Sequence, residues 1–125
     1  MNGNELPRGR VTVGDVKGWL EANLQSTWPE GPDAFARSLE FVDDILLYMD
    51  RDGDWAEAHL LLGKLYERVA SAASAAGGEG VYVGGIYRDH ACAAYDTAVK
   101  AFFMLDRPES ARDCQAAADR LRASS

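Results

Sequence analysis

The sequence predicts an all-α domain of about five helices, packed as an antiparallel bundle or as stacked helical hairpins. Apolar residues recur at three- and four-residue spacing through most of the chain, the period of a helix with one buried face. Strand-type alternation is almost absent. The length of 125 residues, with 47% hydrophobic and 26% charged side chains, fits a single folded domain over residues 1–125. Residues 1–11 are expected to form a flexible N-terminus.

A first helix is predicted from about Val13 to Gln25, capped by Thr12, with Val16, Trp19, Leu20 and Leu24 on one face. Two prolines and a glycine between Ser26 and Pro32 end it. A second helix opens at Asp33 behind Pro32 and buries Phe35, Leu39, Val42, Ile45, Leu46 and Met49. Gly53 marks a turn, and Asp54-Trp55-Ala56-Glu57 has the form of a capping box for a third helix ending near Ala76. Its seam is Trp55, Ala58, Leu62, Leu65, Val69, Ala72 and Ala76. The stretch 77–85 is read as a glycine-rich connecting loop with a short extended piece at Val81-Tyr82-Val83. A fourth helix, about Ile86 to Leu105, then presents Tyr87, Ala91, Ala94, Tyr95, Ala98, Phe102 and Leu105. After the turn Asp106-Arg107-Pro108-Glu109, a fifth runs to about Ala123 on a narrow seam of Ala111, Cys114, Ala118 and Leu121.

Thirteen basic and twenty acidic side chains give a net charge of −7. That excess is local: the stretch from Glu30 to Glu57 holds nine acids and two bases, 2 − 9 = −7, and the rest is neutral. Such a field repels phosphate backbones and acidic headgroups, so neither nucleic acid nor an anionic membrane is expected as a partner. A protein with a basic surface is. No apolar run approaches the ~20 residues of a bilayer span, and the N-terminus lacks the apolar stretch of a secretory signal, so a cytoplasmic protein is expected. Cys92 and Cys114 would lie about 9 Å apart along neighbouring helices, too far for a bridge, and are expected to be free and partly buried.

Several motifs fail on chemistry. Asp50-Arg51-Asp52-Gly53-Asp54 opens like a calcium loop, but Trp55 stands where the sharp turn needs glycine and Leu61 where a bidentate Glu belongs. Gly78, Gly80 and Gly84 lack the preceding strand and the Lys-Ser/Thr of a phosphate loop. His59, His90, Cys92 and Cys114 lack zinc spacing. No cofactor is expected. Glu40, Asp43 and Asp44 share a helix face and form the alternative: a metal-dependent hydrolase resembling the all-α nucleotide pyrophosphohydrolases, with magnesium activating water. It requires a second acidic pair, for which Asp89 and Asp96 are the candidates.

Gly53-Asp54-Trp55-Ala56-Glu57-Ala58 resembles the opening of the second helix of a tetratricopeptide repeat. Ala94-Tyr95-x-x-Ala98, followed by Leu105-Asp106-Arg107-Pro108-Glu109-Ser110-Ala111, is similar to the end of one such helix and the start of the next. The resemblance covers about half the chain, and the corresponding alanines, Ala58 and Ala111, are 53 residues apart where the repeat demands ~34. It implies stacked hairpins and a protein- or peptide-binding role.

The expected function is therefore that of a small acidic, non-catalytic binding or regulatory protein. Its partner surface is placed on Asp43, Asp44, Leu47, Asp50, Asp52 and Trp55. Surplus apolar positions, Leu47, Leu60 and Phe103, are either covered by other helices or form an interaction surface, and they make a homodimer a further expectation.

Overall fold

The computed structural model describes residues 11–28 and 30–124, and these form five helices with no strand among them. They are α1 (Val13–Asn23), α2 (Pro32–Leu46), α3 (Gly53–Ala75), α4 (Glu79–Met104) and α5 (Pro108–Ala123). Helix α3 is the hub, packing on α1, α2 and α4, while α5 packs on α4. The expectation for residues 1–10 lies outside the described residues. Val11 itself packs against the main core.

The hub position explains the sequence of α3. It buries Leu61, Leu62, Leu65, Tyr66, Val69, Ala70 and Ala73, more than one stripe, because helices cover it on several sides. Ala73, not Ala72 or Ala76, carries its last fully buried contact. Two clusters result. Val16, Leu20, Leu39, Val42 and Leu65 belong to the larger one, and Tyr95, Phe102, Ala111, Cys114 and Ala118 to the one between α4 and α5. Both cysteines are buried and free. Burial pushes the Cys114 thiol up to about 11, so it is a core residue and not a nucleophile at neutral pH.

Helix α4 corrects the sequence reading most clearly. It begins at Glu79, so residues 79–85, expected as loop and extended chain, are helical; only Gly77 and Gly78 adopt the positive φ of a connection. Gly80 and Gly84, one turn apart, lie against α3. A Cβ at Gly80 would collide with the Ala73 carbonyl oxygen, and one at Gly84 would lie 2.9 Å from the Ala70 carbonyl oxygen and collide with the Ser74 hydroxyl. The glycines permit close approach of two helices and do not break one.

The ends of the helices are closed locally. Thr12 caps α1 in a complete capping box with Asp15. The C-terminal carbonyls of α1 receive Arg68 from α3, which donates to the Leu24 oxygen at 2.6 Å and stacks over the Trp28 ring. Asp52, not Asp54, caps α3: its carboxylate accepts from the Trp55 amide at 3.0 Å. Asp106 takes the left-handed conformation at the end of α4, φ 58°, and Pro108 opens α5.

Candidate functional site

Residues 40–52 hold most of the expected partner surface, and the structure divides them. Helix α2 ends at Leu46, and its last turn tightens as the Leu47, Tyr48 and Met49 amides donate to the Asp44, Ile45 and Leu46 carbonyls. The chain leaves this turn with Leu47 58% exposed and Tyr48 90% exposed. Phe41, on α2 six residues before Leu47, is 53% exposed. Within α2, at 100° per residue, Asp44 lies beside Phe41 and Glu40 at the edge of its stripe, whereas Tyr48 and Asp50, beyond the helix, line a cleft with Val11, Thr12, Val13 and Gly14.

Charge pairing sharpens the acidic field. Asp54 and Glu57 are not part of an open acidic face, because Lys17 of α1 reaches them at 3.4 and 2.5 Å, and Arg107 also meets Glu57. Lys17 holds the Glu57 carboxyl below its ordinary range. Glu40, Asp44 and Asp50 have no Lys or Arg partner within ion-pair distance among the described residues. Asp52 spends one oxygen on its cap. The uncompensated charge is thus concentrated on α2 and the turn after it.

Trp55 does not belong to this surface. It is only 3% exposed, and its Nε1–H donates to the Leu46 carbonyl at 2.8 Å, so it is a core residue that ties α2 to α3. Its polar ring edge is satisfied internally. Leu60 is also withdrawn, half-buried against the α4–α5 cluster, whereas Leu47 and Phe103 stay exposed. Phe41 and Tyr48, which the sequence reading did not include, are exposed. Their exposure was hidden in the sequence because an aromatic outside the buried stripe of a helix reads as surplus core.

Asp43 faces His59 while 43% of its side chain stays exposed. The imidazole is 4% exposed; its Nδ1 lies 3.1 Å from the Trp55 carbonyl oxygen and its Nε2 3.7 Å from Asp43 Oδ1. A carbonyl only accepts, so Nδ1 carries the hydrogen. Burial lowers the His59 pKa and raises that of Asp43. With its pKa lowered, the imidazole is neutral at neutral pH, so this contact is not an ion pair.

Among the described residues no three His, Cys, Asp or Glu side chains are grouped to hold a metal ion, so Glu40, Asp43 and Asp44 do not assemble a centre. The second pair does not form either: Asp96 is bound by Arg122 of α5. A groove of about 600 Å³ between α3 and α5 is lined by Lys64, Glu67, Arg68, Tyr95, Asp113 and Arg120. There Glu67 accepts from the Tyr95 hydroxyl and from Arg120, so its acid is neutralised. Among the described residues no helix is long and apolar enough to cross a membrane. No family model, curated protein or solved structure matches the chain.

Proposed function

We propose that this chain is a non-catalytic binding protein that docks a protein with a basic surface onto the outer face of α2 and the turn after it. The observation that carries the reading is the exposure of Phe41, Leu47 and Tyr48 among the carboxylates of Glu40, Asp44 and Asp50. Exposed apolar side chains ringed by one sign of charge combine the two requirements of a docking face. The apolar residues supply contact area, and the charge steers encounter and rejects wrong partners.

The tetratricopeptide resemblance supports a binding role of the same kind, through helical hairpins that present a face to a peptide or protein. Nothing in the face calls for a reacting group. The experiment is a salt titration of the affinity for a partner recovered from the native cell. Raising ionic strength from about 0.1 to 1 M shortens the Debye length from ~10 to ~3 Å, so affinity is expected to fall. Affinity indifferent to salt would count against the acidic face.

A further inference from the structure

His59 is a buried imidazole with one nitrogen lacking a donor. The residue is 4% exposed; its ring centroid lies 4.1 Å from that of the Trp55 indole, and Nδ1–H donates to the Trp55 carbonyl one turn back. These two contacts fix the ring, so Nε2 presents its lone pair to α2. Among the described residues it makes no hydrogen bond, and the atom facing it, at 3.7 Å, is Asp43 Oδ1, which carries lone pairs of its own. Two acceptors face each other, and each is satisfied only by a hydrogen supplied between them. Tyr66, 1% exposed, likewise has no hydrogen bond to its hydroxyl among the described residues. Burial raises its pKa, and the charges of Asp43, Glu40 and Asp44 add to the rise, so the phenol opens toward the same carboxylates.

Resting on the docking reading above, we propose that the gap between Asp43 and His59 receives one lysine side chain of the docked protein, whose ammonium donates to Asp43 Oδ1 and His59 Nε2 together. A single nitrogen placed ~2.9 Å from each atom fits two acceptors 3.7 Å apart. The surrounding charge asks for a cation: Glu40 and Asp44 flank Asp43 on α2, and no Lys or Arg lies within ion-pair distance of any of the three among the described residues. Arg51 is held elsewhere, its guanidinium 4.9 Å over the Trp55 ring. A metal ion fits less well, because no three His, Cys, Asp or Glu side chains converge among the described residues, whereas an ammonium also accepts a phenol oxygen as partner. Arginine fits less well too. Its planar fork matches the paired oxygens of one carboxylate, and not an oxygen and a nitrogen on two side chains. Asp43, with 43% of its side chain exposed, is the side from which the lysine enters.

The test titrates the full chain with two peptides of equal length and charge, identical except that one carries lysines and the other arginines. Calorimetry reads affinity, and nitrogen magnetic resonance reads His59 Nε2. The lysine peptide is expected to bind about tenfold tighter, the worth of one hydrogen bond to a charged group, and to shift Nε2, which the arginine peptide leaves in place. Asp43→Asn is expected to erase both the lysine preference and the Nε2 shift. Burial already disfavours the charge at this position, so the variant is expected to fold, with its melting temperature as the check. Equal affinities in the unaltered chain, a lysine preference that survives Asp43→Asn, or an Nε2 that does not respond overturns the lysine subsite and leaves the docking face standing. Binding of neither peptide overturns the docking reading as well.

Discussion

The indole of Trp55 donates its Nε1–H to the main-chain oxygen of Leu46 at 2.8 Å, joining the first turn of α3 to the last residue of α2. The same carbonyl also receives the Met49 amide. One acceptor therefore holds the turn that lifts Leu47 and Tyr48 into solvent, and a core tryptophan fixes the geometry of that turn.

Replacing this residue separates its volume from its hydrogen bond. Trp55→Ala is expected to cost about 3–5 kcal/mol through the cavity it leaves. Trp55→Phe keeps most of the apolar contact, and because Leu46 retains the Met49 amide, the cost is expected near ~1 kcal/mol. Chemical denaturation of the two variants checks the order.

Two neighbouring glycines of α4 are expected to respond in opposite directions. A Cβ at Gly84 meets the backbone of α3, so Gly84→Ala should destabilise by about 1–3 kcal/mol. Gly85 has nothing within 4 Å of that position, and Gly85→Ala should stabilise by about 0.5–1 kcal/mol as a helical residue. Thermal melts of both variants decide whether 79–85 is helix: in a loop, Gly85→Ala would gain nothing from helix propensity.

Buried His59 should make the fold acid-sensitive. Burial, with Arg51 acting in the same direction, holds its pKa below the usual 6.5, against the pull of the Trp55 carbonyl and Asp43. The unfolded chain binds this proton more readily, so the contribution is complete above about pH 6.5 and is lost as pH falls through the lower folded value. Asp43, raised by burial, has the opposite sign at lower pH, where protonation favours the folded form. Stability measured between about pH 7 and 5 should decline, and His59→Gln should flatten that slope.

The helix count, the buried stripes of α1 and α2, and the free cysteines were legible in the chain because each rests on local period or spacing. The start of α4 was not. Glycine reads as a breaker by propensity, and only the contact of Gly80 and Gly84 with α3 shows why it is tolerated there. The cap of α3 shifted by two residues for a related reason: Asp52 and Asp54 are equivalent candidates in sequence, and Lys17, 37 positions before Asp54, occupies the second. The site was half legible. Its charge is a matter of counting, but Trp55 and Tyr48 exchange roles through the turn geometry at Leu46, which no spacing encodes.

Magnesium and manganese separate the hydrolase alternative from the binding reading. Calorimetry of the full chain with either ion is expected to give no specific heat and no shift in melting temperature. Saturable binding lost in Asp43→Asn would restore a role for Glu40, Asp43 and Asp44 as ligands.

The most direct test of the proposed docking face is a residue-resolved amide spectrum of the full chain titrated with a lysine-rich peptide at low and at high salt. Perturbations are predicted to centre on Glu40, Phe41, Asp44, Leu47, Tyr48 and Asp50, and to fade as salt rises. Perturbations centred instead on the groove between α3 and α5, or unchanged by salt, would contradict the account.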